Sequence, residues 1–265
     1  YLPILLCNKL TQRYREAQGI HKLISEEYKF VFLRLPKTAG RTVAIHLRAF
    51  CNAPVKRKLH KLYIKDRKIG WFCKHWTYKQ LKSYKPYAED FFWFSFVRNP
   101  WDRVASYYME RHKKRKKYLD RKNPLRKFHN YFPEALKREK ETVQASEYDW
   151  NLNTQRESRK KGKNERIGEY SPLMEQMRYL TFDGSTNSDK ISVDFIGRYE
   201  NLNQHFDDIV TKIGLPDELK LKRRIGANQH KLPYCEFYTQ ECIDIVAEVF
   251  KHDIEYFNYD YVERQ

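Results

Sequence analysis

The sequence predicts an α/β fold: a single domain with a mostly parallel sheet flanked by helices. Two strongly apolar runs, Phe30–Leu33 and Phe91–Val97, the second broken only by Ser95, each lead straight into a turn and a helix start, and Ile191, Val193 and Phe195 alternate ahead of an amphipathic stretch. A run without alternation is what a strand covered on both faces of a parallel sheet requires. A chain of 265 residues can bury a core of this kind as one domain, 1–265, and it contains no internal repeat.

Residues 1–28 mix a short apolar start with a polar, helical-looking stretch, and they are read as packing against the sheet edge. The first strand ends at Pro36. Thr38, Ala39 and Gly40 are small enough for a tight turn, and Thr42 is expected to begin a helix whose Val43, Leu47 and Phe50 share one face. Backbone N–H groups collect at such a helix start. Together with the positive end of the helix dipole, Lys37 and the hydroxyls of Thr38 and Thr42, they form a pocket for a phosphate or similar oxyanion. The bland alternative is a structural strand-to-helix turn. The order Lys37-Thr38-Ala39-Gly40-Arg41-Thr42 places lysine before the turn, unlike the nucleotide-triphosphate loop, where lysine follows glycine at the helix start.

Cys51 to Lys68 is crowded with Lys and Arg and reads as a solvated connection. Thr77 and Gln80 then have the spacing of a capping box, so a short helix is expected from Tyr78. This puts His75 in the turn before a helix, where an imidazole of ordinary pKa, about 6.5, can accept a proton. His75 is therefore a candidate general base, with His46, His60 and His112 weaker ones. After the second strand, Asn99 suits an N-cap, Pro100 the first helical position and Asp102 the first turn. Arg98 thus leaves the end of a central strand, where open α/β sheets place ligands. Ser106 follows about two turns along the helix.

Residues 111–166 are polar, and 111–127 are dominated by Lys and Arg. They read either as solvated helix and loops or as a lid that attracts an acidic acceptor, with Tyr118, Tyr131 and Trp150 available for stacking. Leu202, Phe206, Ile209 or Val210, and Ile213 form a helical stripe closed by Gly214 and Pro216, and a last helix is expected near Gln240–Lys251.

The formal charge of +18 implies an anionic partner: nucleic acid, an anionic membrane, acidic polysaccharide or a multiply charged cofactor. Five cysteines, an odd number without a CxxC pair, argue against a disulfide scaffold or zinc cluster and for buried thiols. No apolar run approaches the roughly 20 residues that cross a bilayer. The chain begins at Tyr1, which leaves room for an anchor removed upstream, and there is no Asn-x-Ser/Thr acceptor.

PKTAGRT (36–42) resembles the 5′-phosphosulfate loop of the carbohydrate sulfotransferases, the group that includes heparan sulfate and chondroitin sulfotransferases and bacterial relatives. Arg41 stands where Ser or Thr is usual. FSFVRNPWDRVASYY (94–108) closely resembles the 3′-phosphate motif of the same group, KHWTYKQL (74–81) its base-bearing segment, and FIGRYENLNQHF (195–206) a third landmark. LKRRIGANQHK (221–231) falls where relatives carry a loop over the 3′-phosphate. The resemblance implies a P-loop-like sulfotransferase architecture and 3′-phosphoadenosine 5′-phosphosulfate as donor, with adenosine 3′,5′-bisphosphate as product. It implies Lys37 and His75 as catalytic residues, and Lys37, Thr38, Ala39, Gly40, Arg41, Thr42, Arg98 and Ser106 as donor ligands. No metal is expected. The acceptor it implies is a hydroxylated carbohydrate, acidic if the basic segment is a lid and otherwise neutral, with no nucleic-acid partner expected and no membrane segment read in the chain. The location it implies is cytoplasmic, or the Golgi lumen if an anchor was removed. Two rivals stay open. A nucleotide kinase would need Gly-Lys-Ser/Thr and an acidic Mg²⁺ residue, and a non-catalytic polyanion or nucleic-acid binder would explain the charge but not two phosphate sites.

Overall fold

The computed structural model describes residues 24–51, 75, 77–84, 86–114, 132–137, 173–186, 188, 190–221 and 233–262. The elements in chain order are β1 (Ile24–Ser25), β2 (Phe30–Leu33), α1 (Gly40–Leu47), α2 (Tyr78–Tyr84), β3 (Phe92–Val97), α3 (Pro100–Lys114), α4 (132–137), α5 (Met177–Leu180), β4 (Phe195–Arg198), α6 (Leu202–Lys212), α7 (Gln240–Val249) and α8 (Lys251–Phe257). The chain divides into two compact units, Tyr1–Arg98 with Gln176–Gln229, and Asn99–Glu175 with His230–Gln265.

The first unit carries the sheet, in the order β1-β2-β3-β4, antiparallel between β1 and β2 and parallel elsewhere. The α/β class and the mostly parallel sheet expected from the sequence are the ones observed. Phe30, Val31, Phe32 and Leu33 are all fully buried, which accounts for the absence of alternation in β2. Phe32 stacks on Phe94 at 5.1 Å and meets Phe96 edge-on at 6.2 Å. Gly197 lies opposite Phe96, and a Cβ there would stand 2.4 Å from the Phe96 ring. Glycine is needed at that position to let the ring lie against the neighbouring strand. On α6, Leu202, Phe206, Ile209 and Val210 are buried as their spacing predicts, and Gly214 ends the helix at φ +67°.

Three expectations shift. The third strand pairs over Phe195–Arg198 rather than from Ile191, because Asp194 leaves the ladder. Its N–H bonds the Trp93 carbonyl at 2.8 Å, but it is its carboxylate, at 2.7 Å, that accepts from the Trp93 N–H. α1 starts at Gly40, two residues before Thr42. The expected helix near Gln240–Lys251 is two helices, interrupted at Phe250 (φ −114°, ψ 28°), whose side chain is buried.

The second unit builds its core from α3, α4 and the C-terminal helices, with Trp101, Val104, Tyr108, Phe132, Leu136, Val246 and Phe250 at its centre. Asn99 caps α3 as anticipated. Its Oδ1 accepts from the N–H groups of Trp101 at 3.0 Å and Asp102 at 3.4 Å. Within the polar 111–166 segment, 132–137 is helical and buries Phe132, Ala135 and Leu136 in this core. Residues 115–131 and 138–166, including Tyr118, Tyr131 and Trp150, lie outside the described residues, as do 1–23 and 222–232. Cys51, Cys235 and Cys242 are thiols, with Cys242 buried. Cys7 and Cys73 lie outside the described residues. Among the described residues, no helix is long and apolar enough to cross a membrane, and no group of His, Cys, Asp and Glu is arranged to hold a metal.

Candidate active site

The turn between β2 and α1 is built from non-glycine residues in left-handed conformations, Lys37 at φ 67° and Ala39 at φ 61°. Left-handed residues among right-handed ones turn successive N–H groups to one side, the concavity that receives anions. Ala39 is the N-cap of α1 and has no side chain with which to cap it, and the first turn holds no acidic residue. The amides of Gly40 and Arg41 therefore meet the chain's end of the helix with neither an intrahelical acceptor nor a side-chain cap. Thr42 N–H returns to the Ala39 carbonyl at 2.8 Å, and the buried Thr38 hydroxyl donates to the Leu35 carbonyl at 3.2 Å. Thr38 thus spends its proton on closing the loop. Gly40 is helical, so its role is not conformational freedom: a Cβ there would stand 2.5 Å from Arg34 Cγ and 2.9 Å from Arg34 Nε. The glycine makes room for the stem of Arg34.

Arg98, buried at the end of β3, is held on three sides. Its Nη1 donates to the Lys37 carbonyl at 3.0 Å, its guanidinium lies 3.9 Å from the centre of the Tyr199 ring, and its own backbone is gripped by Gln176. The Arg98 N–H donates to Gln176 Oε1 at 2.9 Å, and Gln176 Nε2 donates to the Arg98 carbonyl at 3.0 Å. A fully buried amide side chain here replaces a neighbouring strand at the point where β3 runs out of partners, since Tyr199 N–H already closes on Val97. Gln176→Leu would leave two buried backbone groups unpaired, at about 1–3 kcal/mol each. Urea unfolding should show a correspondingly lower midpoint, and an unchanged midpoint would count against the clamp.

His75 sits before α2, whose first bond runs from Leu81 N–H to the Thr77 carbonyl. Its Nδ1 lies 3.1 Å from the carbonyl of Arg34. A carbonyl only accepts, so Nδ1 carries the proton in the neutral ring and Nε2 carries the lone pair. His46, by contrast, bonds the Thr42 carbonyl of its own helix through Nδ1 at 2.8 Å and packs edge-on against Phe206. That is a structural arrangement. His60 and the side chain of His112 lie outside the described residues.

The first unit therefore brings together the 37–42 loop and Arg98 through a direct hydrogen bond, and ties His75 to the same strand end through Arg34. Ser106, part-exposed on α3, belongs to the second unit. Sequence reasoning missed Arg34, Gln176 and Tyr199. A cation directly after a buried strand was a visible signal for Arg34, and Tyr199 lies inside a recognised stretch. Nothing local marks Gln176, which sits 78 residues from its partner.

A turn with uncapped amides at a helix N-terminus, a lysine ahead of it and an arginine from the adjacent parallel strand thus stand together at one end of the α/β sheet. The family model of the Sulfotransferase family matches residues 21–260, and the chain belongs to that family. No curated protein and no solved structure matched it.

Proposed function

We propose that the chain acts as one sulfotransferase domain that moves a sulfuryl group from 3′-phosphoadenosine 5′-phosphosulfate to a hydroxyl of a carbohydrate, acidic in character. The observation that carries this reading is the bond from Arg98 Nη1 to the Lys37 carbonyl, which couples the loop that would take the 5′ end to the arginine that would take the 3′-phosphate. The loop fits such a donor because its first-turn amides have no side-chain cap and no acidic neighbour. A kinase reading finds no lysine after the glycine, where Arg41 stands.

The donor supplies an activated sulfuryl group and departs as adenosine 3′,5′-bisphosphate. His75 Nε2 takes the proton of the acceptor hydroxyl as its oxygen attacks sulfur. Lys37, Thr42 and the amides of Ala39, Gly40 and Arg41 face the phosphate oxygen that gains negative charge as the S–O bond breaks, so they interact more strongly in the transition state than before it. Thr38 keeps the loop closed. Arg98 holds the 3′-phosphate and sets the register. The excess of positive charge favours an acidic acceptor.

The test is calorimetry with adenosine 3′,5′-bisphosphate against AMP. The bisphosphate should bind far more tightly, and Arg98→Ala should lose about 1.5–3 kcal/mol of that affinity, the range for a hydrogen bond to a charged group. Equal affinity for AMP would remove the 3′-phosphate role from Arg98.

A further inference from the structure

Arg34 follows β2 directly and is part-exposed. Its Nε is buried and has no hydrogen-bond partner among the described residues. The stem crosses Gly40, the first residue of α1, close enough that a single methyl group there would collide with Cγ and Nε. Its nearest charged influence is another cation: burial first, then Arg41, lowers the Arg34 pKa to about 10. A buried polar group left unpaired costs stability, and a charged one costs more. Its position over the first turn of α1 puts this unmet donor beside the amides that also lack a cap.

We propose that Arg34 is a further ligand of the oxyanion received at the α1 N-terminus, namely the 5′ end of the donor. The inference rests on the sulfotransferase reading and deepens it. An anion there offsets two unfavourable features at once, the unpaired Nε–H and the proximity of Arg34 to Arg41. It also explains why Gly40 is glycine in a helical conformation that any residue adopts. The same residue touches the base through its backbone, because the Arg34 carbonyl accepts from His75, so one position links the anion to the proton acceptor. Arg34 is destabilising in the ligand-free protein and stabilising in the complex, a trade-off common at binding sites.

Thermal unfolding of the full chain with and without adenosine 3′,5′-bisphosphate tests this in wild type, Arg34→Met and Arg34→Lys. Methionine preserves the stem over Gly40 and the carbonyl that holds His75. The ligand-free Arg34→Met protein should melt at or above the wild-type temperature, while its affinity for the bisphosphate falls at least about tenfold, equivalent to 1.4 kcal/mol, with a smaller ligand-induced shift. Arg34→Lys, which keeps the charge and loses Nε–H, should fall between the two. If Arg34→Met melts well below wild type and retains the full ligand-induced shift, Arg34 is a packing residue and the proposal is overturned. If wild type itself gains no stability from the bisphosphate, the donor reading fails. A wild-type response that Arg34→Met reproduces overturns the Arg34 assignment alone.

Discussion

Replacing His75 with alanine is expected to lower turnover by about 10²–10⁴-fold, the usual contribution of a positioned general base, with donor affinity nearly unchanged. The expectation rests on orientation. The Arg34 carbonyl accepts from Nδ1 at 3.1 Å, which makes Nε2 the basic nitrogen and anchors the ring to the residue immediately after β2. The ring is therefore positioned by the strand that also leads into the 37–42 turn. The donor contacts assigned to Lys37, Thr42 and Arg98 involve none of its atoms. Steady-state rates across pH 6 to 8, paired with calorimetry for adenosine 3′,5′-bisphosphate, separate the two effects. Activity within a few-fold of wild type would assign the proton to another group. His46 is a poor substitute because Thr42 already engages its Nδ1, and Glu89 is bound to Lys82.

Lys37→Ala should show a different pattern, with turnover down by about 10²–10³-fold, as when one donor to a developing oxyanion is removed, and weaker donor binding as well. The substitution isolates the ammonium. Alanine meets the same φ of 67° that lysine already tolerates, and the backbone carbonyl that accepts from Arg98 stays in place. The loop shape and the cradle of Arg98 should survive. Single-turnover rates distinguish the outcomes: a loss confined to donor affinity, with the chemical step untouched, would make Lys37 a ground-state binder and move the transition-state role to the amides of the α1 first turn. Lys37 and His75 thus differ by a measurable ratio of rate loss to affinity loss.

Much of this site was legible because its parts are local. The apolar run 30–33, the cap at Asn99 and the start of a helix at Tyr78 each depend on residues within a few positions of one another, and each appears where its spacing puts it. Errors in the expected elements came from distant partners. β4 begins at Phe195 because the Asp194 carboxylate bonds a backbone amide 101 residues away, and the last helix breaks where Phe250 is buried.

By itself, the sequence determined the α/β class, the tight turn at 37–42, Arg98 at a strand end and His75 ahead of a helix, since strand burial, turn chemistry and capping are written in short stretches. Only the tertiary structure decided how these parts are held. It placed the Lys37 carbonyl on Arg98, the Tyr199 ring under the guanidinium and the Gln176 amide along its backbone. Those contacts join residues up to 101 positions apart, between Arg98 and Tyr199, and exist only once parallel strands lie side by side. In a parallel sheet, neighbours in space are separated by whole crossover connections in the chain, so no local pattern can announce them.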